Sequence, residues 1–160
     1  MSRLEVPQDQ INLLSYAAFL HDIGKIEIDR EVLNKADSLS QEEWGELMQN
    51  PQWGSDIVKA VSQLQSIVPI IRHHHENYDG TGYPDGLAGD DIPLLARIIR
   101  VVDSYDAMIS HLPYKKARSI LEAIEELRSN AGTRFDPDLV EHFLEIIKVQ
   151  LKSNKLNGRI

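Results

Sequence analysis

Apolar positions along this chain recur at three- and four-residue intervals almost throughout, which predicts helices and no strands. Leu13, Leu14, Ala17, Ala18, Phe19 and Leu20 crowd both faces of the first segment and predict a deeply buried helix. Ser40 and Glu43 have the spacing of a capping box, opening a helix that Pro51 is expected to close. Trp53, Ile57, Val58, Val61 and Leu64 form the next stripe, and a helix starting near Ser66 carries His73, His74 and His75 toward its C-terminal end. Residues 77–91 are rich in Gly, Asp and Pro and read as a loop. Asp91 and Pro93 suit the cap and first turn of a long helix through about Ser110. Ile120, Leu121, Ile124 and Leu127 mark another helix, with Gly132 beyond its end. Asp136-Pro137 starts the last, on a stripe of Leu139, Val140, Phe143, Ile146 and Ile147. The polar tail after Gln150 is expected to fray. The pattern predicts an all-α bundle of about six to eight helices, with residues 1–150 as one domain and 151–160 as a polar C-terminal tail.

Composition narrows the chemistry. There is no cysteine, so any transition metal must be held by His, Asp and Glu. Lys+Arg number 17 against Asp+Glu 25, a net charge of −8, which argues against binding polymeric nucleic acid. A small anionic ligand remains compatible, because a metal and a few basic side chains create a local positive site. The sequence has neither a run of about 18 apolar residues nor a signal-peptide pattern, so no membrane insertion and a cytoplasmic location are expected.

Three constellations carry candidate chemistry. His21-Asp22, followed by Gly24 and Lys25, places an imidazole and a two-oxygen carboxylate directly after an apolar helix, where unpaired burial is costly. Lys25 lies about one turn on, where its ammonium can meet a phosphate oxygen. His73-His74-His75-Glu76 then concentrates three of the chain's six histidines at one helix end. It runs into Asp79-Gly80 and Gly82-Tyr83-Pro84, where glycine lets backbone approach a ligand and Tyr83 can stack or hydrogen-bond. Asp103 and Asp106 are spaced i, i+3 on the long helix, with Arg97 and Arg100 nearby; such a set alone reads more often as a salt-bridge network than as a catalytic pair. His111 and His142 read as surface or packing residues.

Taken together, His21-Asp22-Ile23-Gly24-Lys25, His74-His75-Glu76-Asn77-Tyr78-Asp79-Gly80-Thr81-Gly82-Tyr83-Pro84 and Val102-Asp103-Ser104-Tyr105-Asp106-Ala107 resemble the HD-GYP family. Leu33-Asn34-Lys35, Glu42-Glu43-Trp44, Ile92-Pro93-Leu94 and Phe135-Asp136-Pro137 resemble it in the same order, so the likeness runs from about Ser15 to Phe143. The resemblance implies an HD-domain-like helical bundle. It also implies two divalent transition-metal ions, iron or manganese, and hydrolysis of cyclic-di-GMP to linear pGpG and onward to GMP. Carried over by motif, His21, Asp22, His74, His75 and Asp103 are implied metal ligands. Asp22 and Lys25 are implied catalytic residues, and Lys25, Tyr83, Asp106 and Lys115 implied substrate contacts. Asn50 stands where the family has a ligand histidine, Leu112 where it has an arginine, and the family's first ligand-bearing helix has no counterpart before His21. Those departures support the alternative of a degenerate module that binds nucleotide or docks to GGDEF-type signalling proteins.

Overall fold

The computed structural model describes residues 7–35, 37–111 and 117–156. They form eight α-helices: α1 (Gln8–Leu20), α2 (Arg30–Leu33), α3 (Gln41–Leu47), α4 (Asn50–Lys59), α5 (Val68–His73), α6 (Leu94–Ile109), α7 (Ile120–Ser129) and α8 (Pro137–Leu156). Short 3-10 turns at Ile23–Glu27, Ser62–Ile67 and Gly89–Asp91 join them. Among the described residues there is no strand, only isolated bridges pairing Asp79 with Ala88 and Ala131 with Phe135.

Local chemistry accounts for most helix starts. Ser40 and Ser119 each accept a backbone N–H three residues on, while Glu43 and Glu122 reach back to the serine N–H. Both are complete capping boxes. The Asp136 carboxylate accepts the N–H groups of Asp138 and Leu139 at the start of α8, satisfying two donors that the first turn cannot pair internally.

The core divides into two clusters with α6 passing through both. Its first half, through Leu95, Ala96 and Ile99, packs with Ala17 of α1, Val58 of α4, Ile70 and Ile71 of α5, and with Ile67 and Ile92. Its second half, through Val101, Tyr105 and Met108, packs with Ala123, Ile124 and Leu127 of α7, and with Phe135, Leu139, Val140, Leu144 and Ile147. Asp103 sits where the two clusters meet.

Several expectations are corrected. α1 is not deeply buried: Ala17 is inside, but Phe19 is 89% exposed and Tyr16 57%. Only one face of that helix meets α5 and the turn at Ser62–Ile67, so apolar content on the other face has nothing to pack on among the described residues. Pro51 opens α4 instead of closing α3, consistent with proline's fit to a first helical turn. Pro93, not Asp91, is the N-cap of α6, and no side chain caps that helix. In α8, Leu144 takes the core position expected of Ile146, which is exposed, and the helix runs past Gln150 to Leu156.

Candidate metal centre

α1 ends at Leu20, and the 3-10 turn that follows folds His21 and Asp22 back toward α4 and α5. This crossing is close. A Cβ at Gly24 would run into the Asn50 carbonyl oxygen and lie 2.6 Å from the Gly54 nitrogen, so only glycine lets the two backbones meet. α5 then delivers His74 at its C-cap and His75 just beyond, and α6 brings Asp103 to the same place.

The distances describe a convergence. His21 Nε2 lies 3.3 Å from Asp22 Oδ2 and 3.6 Å from Asp103 Oδ1, and His74 Nε2 lies 4.0 Å from Asp22 Oδ1. The His74 ring is 5.2 Å from that of His21 and 4.1 Å from that of His75. One ligand atom each from Asp22, His74 and His75 falls within 4.8 Å of the others.

The tautomers are set from outside the cluster. His21 Nδ1 donates to the Ala18 carbonyl at 2.8 Å, and His74 Nδ1 to the Ile71 carbonyl at 2.6 Å. Each ring thereby turns its Nε2 toward carboxylate oxygens, and both Nε2 atoms are buried without a hydrogen-bond partner. A buried Nε2 facing carboxylates calls for a cation between them, a proton or a metal ion, and outward Nδ1–H donation is the usual support of a ligating imidazole. The donor set is nitrogen and carboxylate oxygen without sulfur, which suits a divalent transition metal. The residues therefore fit a metal centre.

Electrostatics divides the histidines. Burial opposes protonation of His21, but the Asp103 and Asp22 carboxylates outweigh it and raise its pKa to about 10, so a metal ion has to displace a proton from its Nε2. Burial lowers His74 to about 4. Burial, together with His74 and Arg100, lowers His75 to about 2. Both are thus held as neutral ligand-ready imidazoles. Burial pushes Asp22 upward, yet its contacts with His21 and Lys25 prevail and hold it well below the usual carboxylate range.

The remaining expected residues separate by environment. Lys25 Nζ donates to Asp22 Oδ2 at 2.6 Å, so it neutralises a ligand carboxylate at the cluster's edge. Tyr83 stacks on His75 with ring centroids 5.0 Å apart, and burial raises its hydroxyl to about 12. Asp106 is exposed and lines, with His21, Asp103, Leu14 and Val102, a mainly apolar cavity of about 290 Å³. Lys115 and Leu112 lie outside the described residues.

Asn50 is 1% exposed and faces the cluster, donating from Nδ2 to Asp22 Oδ1 at 2.9 Å. Its Oδ1 is buried without a partner. Sequence reasoning placed it beside the site by motif only; its hydrogen bond to a ligand carboxylate is a tertiary fact.

A second acidic–histidine group, His73, Glu76 and Asp85, backs the first. Here Arg72 binds both Asp85 oxygens at 2.7 Å, and Glu76 Oε1 accepts the Asp85 N–H at 2.8 Å. With those atoms committed, this group acts as a clasp closing the loop after α5 over the histidines. Gly82 belongs to the same closure, since a Cβ there would collide with the Glu76 and Asn77 backbone. Arg97, expected near the acidic pair, is tied to Asp90 at 2.8 Å and Asp136 at 2.7 Å and is structural.

Comparison with known proteins places this geometry. A family model described as HD domain matches residues 1–139. The chain is 38% identical over 144 residues to the cyclic di-GMP phosphodiesterase response regulator RpfG of Xanthomonas campestris pv. campestris, covering 89% of this chain and 38% of that one. It is 40% identical over 137 residues to a cyclic di-GMP phosphodiesterase of Thermotoga maritima, covering 84% and 37%. Among solved structures it resembles Bd1817, an HDG"Y"P protein from Bdellovibrio bacteriovorus, with a TM-score of 0.71, 25% identity, and coverage of 89% and 45%. The chain spans under two fifths of the length of these two curated relatives. The expected all-α HD bundle is thereby borne out.

Proposed function

The chain belongs to the HD domain family, and from that premise we propose that it is a metal-dependent phosphodiesterase of the HD-GYP type. Its substrate is cyclic-di-GMP, hydrolysed to linear pGpG and onward to GMP. The observation that carries this reading is the convergence of His21, Asp22, His74, His75 and Asp103, with two imidazole Nε2 atoms buried, unpartnered and turned toward carboxylates. Residues 1–150 act as one unit, which α8 extends at least to Leu151, packed on the Phe135 cluster, and the site of action is cytoplasmic. Among the described residues no helix is long and apolar enough to cross a membrane.

Two iron or manganese ions are the proposed complement; when bound, they polarise a phosphate and make a nucleophile of water near neutral pH. The chain's own residues do the rest. Asp22, with an oxygen toward each of His21 and His74, holds the centre of the cluster. Lys25, already on Asp22, lies at its edge to meet the cleaved phosphate's charge. Tyr83, stacked on His75, provides an aromatic surface that excludes water and orients a base. The test is metal analysis of protein purified without chelator, followed by cyclic-di-GMP turnover in iron and in manganese. Absence of both metal and turnover refutes the reading.

One observation favours a second reading, a module that binds nucleotide or docks to GGDEF-type proteins without turnover. Asn50 Nδ2 donates to Asp22 Oδ1 at 2.9 Å, so an amide would compete with a cation for that oxygen. An amide is also a weaker transition-metal ligand than imidazole. Asn50→His is therefore expected to raise metal content toward two ions per chain and to raise turnover, measured by elemental analysis and product formation. A docking module would instead keep its metal content and its partner affinity.

A further inference from the structure

Beside the metal cluster, on the far side of Asp103, a second cavity of about 280 Å³ opens between α6, α7 and the segment before α8. Its wall holds three guanidinium groups, from Arg100, Arg118 and Arg134, and it shares Asp103 with the metal cluster. Three cations gathered in a chain of net charge −8 call for a physical reason.

Their counter-charges do not account for them. Arg118 donates to Glu126 Oε2 at 2.9 Å, and Arg134 reaches the other oxygen of that carboxylate only at 4.0 Å. Arg134 otherwise lies over the Phe135 ring at 5.3 Å. Arg100 makes no ion pair among the described residues. It donates to the Asn77 side-chain oxygen at 2.8 Å and sits 3.3 Å from His75 Nδ1, while its Nε is buried with no partner. Burial lowers its pKa, and the neighbouring Arg134 charge lowers it further. Arg100 is the member with a buried nitrogen, while the Arg118 and Arg134 side chains are 42% and 43% exposed, so three like charges share one cavity wall with one carboxylate between them, since Asp103 belongs to the metal cluster. The buried, unpartnered Nε of Arg100 beside like charge costs free energy until an anion enters. Planar guanidinium groups match phosphate oxygens in pairs.

We infer that this cavity is an anion subsite that takes the phosphate of a cyclic dinucleotide that is not being cleaved, so that Arg100, Arg118 and Arg134 set affinity and register beside the metal cluster. This rests on the phosphodiesterase reading above. Arg100 bridges the two sites, touching His75 on one side and lining the subsite on the other. Glu126 competes with the ligand for Arg118 and acts as the subsite's brake.

The experiment uses the full chain loaded with metal. Steady-state hydrolysis of cyclic-di-GMP is measured for wild type, Arg118→Gln, Arg134→Gln and Glu126→Gln, with metal content and melting as controls. Loss of one charge-assisted contact predicts about a tenfold higher KM for each arginine variant. The kcat stays near wild type, because the contact is made equally in ground and transition states. Glu126→Gln is expected to lower KM, a change that a merely bracing role for the arginines would not produce. Equal KM values across the set, with the wild type active, overturn the subsite and leave the phosphodiesterase reading intact. If the wild type has no turnover, calorimetric titration with inorganic phosphate decides separately. Binding that Arg134→Gln weakens and Glu126→Gln strengthens supports the subsite, whereas binding indifferent to all three variants overturns it.

Discussion

The two core clusters joined by α6 meet the same packing requirement with opposite polar content. The cluster around Phe135 and Leu127 is built from α7, α8 and the second half of α6, and the buried charged residue beside it, Asp136, caps α8 and pairs with Arg97. The cluster around Ile71 and Ile67 surrounds His74, Glu76, Asn50 and Ser55, all buried. Of those, His74 Nε2, Asn50 Oδ1 and Glu76 Oε2 lack hydrogen-bond partners. Buried polar atoms without partners are costly, and native proteins rarely keep several together without return. One half therefore supplies stability independent of any ligand, while the other is arranged around what it binds. α6 links them by placing Leu95, Ile99, Val101 and Tyr105 inward and Asp103 at the junction.

The sharpest way to separate the halves is Asp22→Ala. It is expected to lower metal affinity more than about 100-fold, since even residues that merely support a ligand account for 10- to 100-fold, and to reduce turnover to background. Elemental analysis and product formation read both. The metal-free variant is expected to keep the parent's helix content by circular dichroism, because Asp22 is not among the residues that build the Phe135 cluster; retained hydrolysis would place the chemistry elsewhere.

The converse change is Phe135→Ala. Phe135 is 1% exposed, and truncating such a residue costs about 3–5 kcal/mol. Urea unfolding measures the loss, and metal content per folded chain is expected to stay at the parent value.

Acidification tests the metal half alone. In the chelator-treated protein, burial holds His74 at about 4, below the ordinary histidine value near 6.5. A folded pKa depressed below the unfolded one means that the unfolded chain takes the proton first, so stability falls as pH drops from about 6.5 toward 4. His74 contributes about 3 kcal/mol to that fall, and His75, lowered further still, acts with the same sign. His21, raised to about 10, has the opposite dependence and loses its contribution as pH rises from 6.5 toward 10. His74→Asn is expected to flatten the acid limb of a plot of melting temperature against pH; an unchanged limb would refute the assignment.

The smallest expected effect is Ile146→Ser. The residue falls on the periodic stripe of α8 but is 59% exposed, so its replacement is expected to change stability by less than about 0.5 kcal/mol, against several for Phe135.

Much of this contrast was legible before any coordinates. Ser40 with Glu43 marked a helix start that the structure bears out, because a capping box is a local device. The His21-Asp22, triple-histidine and Asp103 segments stood out as polar ligand types at or within apolar helices, the HD-GYP resemblance picked His21, Asp22, His74, His75 and Asp103 from them, and the structure brings all five together. What periodicity misread involved neighbours distant in the chain. Phe19 and Ile146 are apolar and in phase, yet whether a helix face is covered depends on what packs there. Pro51 can end one helix or begin another, and the turn at Met48–Gln49 decides it.

The sequence by itself determined the helical class, the Ser40–Glu43 capping box, the ligand types and the exclusion of thiolate chemistry, since each follows from residue identity and spacing within one or two turns. Only the tertiary structure decided that Asn50 donates to Asp22, that Arg72 and Glu76 clasp the loop through Asp85, and that Arg100, Arg118 and Arg134 share one cavity. Those pairs lie from 9 to 34 residues apart in sequence. Their meeting is set by how α4, α5, α6 and α7 pack, and packing is a property of the assembled apolar faces that no local spacing encodes.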